Sequence, residues 1–194
     1  MKQSSQTGEK CEQRRTPLTI LGVGNILCSD DGLGPAVVTR LGNEYEGDGV
    51  QILDGGTLGL TLLPILDDSD RMILVDAVRA DDAPGSMIQL EGEDVLPAVR
   101  LRLSPHQVGV ADLLDAARLR GTMPGRLLLI GLVPETIELG YGLSDPVDHA
   151  VPELIDAVIE QARNLGYPLE PRTETLASGA SGASAAGGVL LRTG

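Results

Sequence analysis

Three short aliphatic runs limit what this chain can fold into. Leu18–Val23 reads LTILGV, Arg71–Val78 reads RMILVDAV and Arg126–Val133 reads RLLLIGLV. Each is too short for a typical helix and too apolar for a half-exposed strand, so each reads as a strand buried on both faces. Val50–Leu53 is a further strand closed by Asp54-Gly55-Gly56, and Ser86–Leu90 is a shorter one suited to a sheet edge. Helix-like stretches separate them. Pro35 fits the first turn of a helix running to about Leu41 or Tyr45, and Thr57 is placed to cap one through about Leu66. Ser104-Pro105 starts another, with Val110, Leu113, Leu114 and Ala117 on one face and Gly121 just past its end. Pro146 or Pro152 opens the last helix, which runs to Asn164; a helix from Pro146 must absorb Pro152, so it either starts late or kinks. Aliphatic strands alternating with helices predict an α/β fold: a three-layer, doubly wound, mostly parallel twisted sheet with helices on both faces.

Composition narrows the function. The chain has 194 residues, with no Phe and no Trp, so its core is aliphatic and stacking of bases on aromatic rings is a poor candidate activity. The formal net charge is −13. Residues 1–16 carry Lys2, Lys10, Arg14 and Arg15 against Glu9 and Glu12, so everything beyond them is more acidic still. Such a surface repels nucleic acid and anionic membranes. Cys11 and Cys28 make no disulfide scaffold, no run is long enough to span a bilayer, and no apolar stretch follows the basic residues as in a secretory signal. A cytoplasmic protein with reduced thiols is expected. Residues 1–16 read as a disordered leader, 17–168 as the domain, and 169–194 as a flexible tail containing the Ala/Ser/Gly run Ala177–Gly188.

In a doubly wound sheet, ligands bind beyond the carboxyl ends of the strands, where strand order reverses. The segments to inspect are therefore Asn25–Gly34, Asp54–Thr57, Asp76–Asp82 and Pro134–Tyr141, with His106 at a helix start. Gly22-Val23-Gly24 opens like a dinucleotide fingerprint, but Leu27 stands where the third glycine belongs. Asp30 and Asp31 would also repel a pyrophosphate there. There is no phosphate-loop sequence and no Gly-x-Ser-x-Gly elbow. Cys28 paired with His106 would make a thiolate nucleophile, but an acidic loop disfavours the thiolate. Asp31, Asp76 and His106 together offer two oxygens and one nitrogen, a set suited to a borderline divalent ion such as nickel or zinc. Each has an ordinary reading too. Asp30 and Asp31 complement a helix dipole, Asp54 or Asp76 closes a turn, and a lone His fills a structural role. An Asp pair without metal is a further option.

Taken in order, the segments are more specific than any one alone. Gly22-Val-Gly-Asn-Ile-Leu-Cys-Ser-Asp-Asp-Gly-Leu-Gly34, Asp54-Gly-Gly-Thr57, Val75-Asp76-Ala77, Ser104-Pro-His-Gln-Val-Gly109 and Gly131-Leu-Val-Pro-Glu135 resemble the motifs of the hydrogenase maturation endopeptidases over about residues 17–168. The resemblance implies an aspartic-type endopeptidase that trims a C-terminal extension from the large-subunit precursor of a nickel–iron hydrogenase, after nickel insertion. It implies that Asp31, Asp76 and His106 are the metal-binding and catalytic residues, and that Asp54, Gly55, Gly56 and Thr57 contact substrate. Nickel would arrive with the substrate, with cadmium or zinc able to substitute, and the attacking water would be activated by the metal or by a carboxylate. The enzyme is expected to be a monomer that forms a transient complex. Two other classes remain open: a non-catalytic nickel-binding maturation chaperone and a Rossmann-like nucleotide-binding domain.

Overall fold

A computed structural model describes residues 15–100 and 108–173. The three aliphatic runs become β1 (Leu18–Val23), β4 (Arg71–Ala77) and β6 (Arg126–Leu132), which lie side by side at the centre of a five-stranded sheet. With β3 (Val50–Gly56) and β5 (Met87–Glu91) at the edges, the order is β3-β1-β4-β6-β5. Four strands are parallel; β5 runs antiparallel to β6. A separate antiparallel pair joins β2 (Tyr45–Glu46) to β7 (Glu170–Pro171).

Alternation along each strand divides the core in two. Leu18, Ile20, Ile73, Val75, Leu128 and Ile130 pack with residues of α1 (Leu33–Glu44) and α5 (Asp145–Asn164). Leu21, Val23, Met72, Leu74, Leu127 and Leu129 pack with α2 (Leu63–Asp67), α3 (Val95–Arg100) and α4 (Val108–Arg120). The central strands are thus covered on both faces, which is why their sequences are unbroken aliphatic runs. Helix α1 connects β1 to β3 on one side, whereas β4 lies on the other side of β1. Strand order therefore reverses between β1 and β4.

Several local expectations change. Strand β3 does not stop at Leu53. It continues through Gly56, with Gly22 registered opposite Asp54 and a shift before Val23 pairs with Gly56. Thr57 is not a helix cap: a 3₁₀ turn, Gly59–Leu62, begins after Leu58 and leads into α2 after Leu62. Helix α3 has no counterpart among the expected elements. Helix α5 starts at Asp145 with Pro146 in its first turn, and it runs through Pro152. Pro152 lies on the exposed side, where water can satisfy the freed carbonyl. Gly121 adopts φ +70° just past α4, as expected of a C′ glycine.

The domain boundaries also move outward. Thr16 bridges to Ser69, so ordered pairing precedes residue 17. Leu169 is buried, β7 pairs with β2, and the Arg172 backbone N–H donates to the Glu44 carbonyl. The expected tail boundary at 169 therefore cuts into the fold. Residues 1–14, 101–107 and 174–194 lie outside the described residues; they hold Cys11, the Ser104-Pro105 helix start, His106 and the Ala/Ser/Gly run.

Candidate active site

The site is built where β1 and β4 end. After Val23 the chain turns through Gly24, whose φ of +136° is rarely open to any other residue. It then forms a 3₁₀ turn, Ser29–Gly32, before entering α1. A Cβ on Gly24 would overlap the Asp31 carbonyl oxygen, and one on Gly34 would overlap the carbonyl oxygens of Val23 and Val75. These glycines thus let the 3₁₀ turn and α1 close down on the ends of β1 and β4. The turn also places buried Asp30 and Asp31 at the start of α1, where a dinucleotide fold would offer its helix N-terminus to a pyrophosphate.

Asp31 and Asp76 both end up buried at this mouth, at 1% and 0% exposure. Asp76 follows Val75, which pairs with Gly22 of β1. Asp31 sits in the 3₁₀ turn that packs on β4. One oxygen of Asp31 is held by the Asn25 backbone N–H, at 3.0 Å to Oδ2. The two residues are far apart in sequence, and the sheet brings them to adjoining strand ends at the switch point. Carboxylates lose much hydration on burial, so two at neighbouring strand ends depend on the groups packed around them.

The expected third member, His106, lies outside the described residues. The chain resumes at Val108 against the same end of the sheet. Gly109 of α4 approaches Gly59 so closely that a Cβ on it would sit 2.9 Å from the Gly59 Cα. Among the described residues, no three His, Cys, Asp or Glu side chains converge as a metal cluster. His149, the other histidine, is exposed on α5, where its Nδ1 lies 2.7 Å from the Asp145 carbonyl oxygen.

Asp30 behaves quite differently from its neighbour. It is fully buried and accepts four hydrogen bonds. Oδ2 receives the backbone N–H of Glu135 at 2.8 Å and of Thr136 at 3.1 Å, and the Ser144 hydroxyl at 2.8 Å. Oδ1 receives the Ser144 backbone N–H at 2.7 Å. Asp30 therefore clasps the loop after β6 and the start of α5 onto the β1 loop. Ser144 precedes α5 without capping it, because its hydroxyl is turned to Asp30. Nothing local in the sequence separates Asp30 from Asp31; only partners more than a hundred residues away do. The adjacent Ser29 adopts φ +48°, a strained value for a non-glycine residue and one that recurs at functional loops.

Asp54, Gly55, Gly56 and Thr57 reach the same end of the sheet. Asp54 is exposed, and its Oδ1 accepts the Gly56 N–H at 2.9 Å, the turn-closing role expected of an Asp there. Gly56 in turn accepts the Gly24 N–H at 3.0 Å, tying this loop to the β1 loop. Cys28 is half-buried and receives the Asn25 side-chain amide at 3.3 Å. Beyond Asp76, a cavity of about 310 Å³ opens between the ends of β4 and β6, lined by Ala77, Arg79, Val133, Glu135 and Ile137 among others.

Fold and site together define a doubly wound α/β protein with two buried aspartates at its switch point. Comparison with known proteins carries this further. Residues 35–161 match the family model described as hydrogenase maturation protease. The chain is 39% identical over 157 residues to the Hydrogenase 2 maturation protease of Escherichia coli K12, covering 80% of this chain and 96% of that protein. It is 37% identical to the hydrogenase expression/formation protein HupD of Rhizobium leguminosarum, covering 81% and 79%. The solved structure of the hydrogenase maturating endopeptidase HybD from Escherichia coli superposes with a TM-score of 0.76, at 39% identity, over 80% of this chain and 98% of that one. This chain belongs to the hydrogenase maturation protease family, and it is a peptide-bond hydrolase. Among the described residues no helix is long and apolar enough to cross a membrane.

Proposed function

We propose that this chain is an endopeptidase that removes the C-terminal extension of a nickel–iron hydrogenase large-subunit precursor after nickel insertion, with Asp31, Asp76 and His106 receiving the nickel. The observation that supports this reading is the burial of Asp31 and Asp76 at adjoining strand ends on the switch point. Two anionic oxygens plus an imidazole suit a borderline divalent ion, so nickel fits the donor set and cadmium or zinc can replace it. Nickel belongs to the substrate here, and when present it polarises the reacting carbonyl or water. Without it the site has no cation to hold and the binding energy that seats the bond is missing, so the cut waits for the metal.

The chain's own residues supply the rest. Hydrolysis joins a water oxygen to the carbonyl carbon, breaks the C–N bond and sends the amine away with a proton. Asp31 or Asp76 takes the proton from the water and returns it to the amine, the aspartic-type division of labour. The segment Asp54–Thr57 at the end of β3, with Asp54 and Thr57 exposed, contacts the arriving chain. We place the reaction in the cytoplasm, carried out by a monomer in a transient complex.

Incubation of the purified protein with nickel-loaded and nickel-free precursor tests this reading. Mass spectrometry should show loss of a C-terminal peptide only from the nickel-loaded form. Binding of the loaded precursor with no change in its mass would instead identify a non-catalytic chaperone.

A further inference from the structure

The large apolar side chains around this site form a surface that the proposed chemistry does not use. Among the described residues seven large hydrophobic side chains are exposed, and six lie at this one end of the sheet. Ile26 and Leu27 are on the loop after β1, Leu58 and Leu60 on the turn after β3, and Leu139 and Tyr141 on the loop after β6. Leu139 and Tyr141 are each 87% exposed. The seventh, Leu119, is near the far end of α4.

The three segments make one rim, because hydrogen bonds join them in succession. The Gly24 N–H donates to the Gly56 carbonyl at 3.0 Å, linking the first loop to the turn that leads to Leu58. The Gly140 N–H donates to the Leu27 carbonyl at 3.0 Å and the Ser29 N–H to the Gly140 carbonyl at 2.9 Å, linking the first loop to the third. The Asp30 clasp holds the third loop from beneath. Large apolar side chains gathered at one end of an acidic protein mark an interaction surface, and segments tied together in advance lose little entropy on binding. The rim is also one-sided in charge. Its three segments, residues 22–31, 54–62 and 133–145, contain Asp and Glu but no Lys, Arg or His.

Resting on the endopeptidase reading above, we propose that this rim docks an aliphatic, acid-free segment of the precursor polypeptide next to the bond that is cut. A chain lying along this end of the sheet, where Asp31 and Asp76 are placed, can bury aliphatic side chains against these six residues. Acidic residues in the segment are disfavoured because every charge on these three segments is negative, with Arg79 set beside them in the cavity after β4.

Two double variants test this, Leu139→Ser with Tyr141→Ser and Leu58→Ser with Leu60→Ser, with Leu119→Ser as control. All five side chains are exposed, so folding should hold, and an unchanged melting temperature confirms it. Binding to immobilised nickel-loaded precursor is measured separately from cleavage. The expected result is a Kd raised about tenfold or more in both rim variants, the scale of losing one or two buried aliphatic contacts, with Leu119→Ser within about twofold of wild type. The cleavage rate at saturating precursor should change little. Rim variants that bind like wild type, or a control that loses as much, overturn the proposal whatever cleavage does. Failure of the wild type to cleave, with the rim effect on binding intact, overturns the endopeptidase reading and leaves the rim standing. A wild type that does not bind the precursor overturns both.

Discussion

The two ends of the sheet are built from the same strands but held by different chemistry. At the amino ends, backbone closes on backbone. Thr16 donates to the Asp68 carbonyl at 2.6 Å, Asp70 to Thr16 at 2.9 Å and Gly125 to Asp70 at 2.8 Å. Arg71 lies over the Tyr167 ring, 5.3 Å from its centroid, and donates to the Tyr167 hydroxyl at 3.0 Å. At the carboxyl ends, three aspartates are buried, Ser29 is strained, and large apolar side chains face solvent. The first end is closed by backbone and ring contacts. The second exposes large apolar side chains, which cost stability unless a partner covers them.

The comparison can be broken in graded ways. The largest effect is expected from Asp31→Asn, Asp76→Asn or His106→Ala. Each should slow precursor cleavage more than about a hundredfold, because each removes several kcal/mol of metal-centred stabilisation. A denaturation midpoint close to that of the wild type would show that the lost cleavage is not lost folding. Normal cleavage by any one of the three excludes that residue from the site.

Next is Gly34→Ala, whose new methyl would overlap the Val23 and Val75 carbonyls. Overpacking there should cost about 3 kcal/mol in urea denaturation, and cleavage should fall with it because α1 can no longer seat the Asp31 turn. A variant as stable as wild type would show that the approach of α1 to the sheet is looser than described.

Asp30→Ala should cost about 2 kcal/mol by leaving the amides of Glu135, Thr136 and Ser144 without their acceptor. Hydrogen exchange should quicken at those amides first, while the strand amides stay protected. Uniform loss of protection would make Asp30 a general core residue and not a clasp for one loop.

The smallest effect is expected at the opposite end. Arg71→Ala should cost about 1 kcal/mol, from its ring contact and hydrogen bond, and leave the cleavage rate unchanged. A clear loss of cleavage at constant stability would mean that the two ends are coupled.

Much of this architecture is legible from local pattern. The runs at Leu18, Arg71 and Arg126 read as central strands because strands covered on both faces need no polar alternation. Val110, Leu113, Leu114 and Ala117 read as one helix face, and all four are buried. Helix α3 was harder to see, since Val95–Arg100 is one short segment interrupted by Pro97. Thr57 has the chemistry of a cap, yet the chain delays its first turn to Gly59, where α4 packs. Pro152 looked like a helix breaker, but burial of Val147, Val151, Leu154 and Ile155 carries α5 through it. In the site, Asp31 and Asp76 stand out because one lies in the loop after a strand and the other closes an aliphatic strand. The role of Asp30 does not, because its partners follow β6.

Sequence by itself determined the alternation of strands and helices, the aliphatic core, and the two aspartates worth watching, all of which depend on spacing within a few residues. Tertiary structure alone decided that neighbouring Asp30 and Asp31 have different tasks, and that five scattered aliphatic residues and Tyr141 share one rim. The reason is physical. Hydrophobic period is a local property of the chain, whereas a hydrogen bond from Asp30 to Ser144 exists only after the intervening strands have packed.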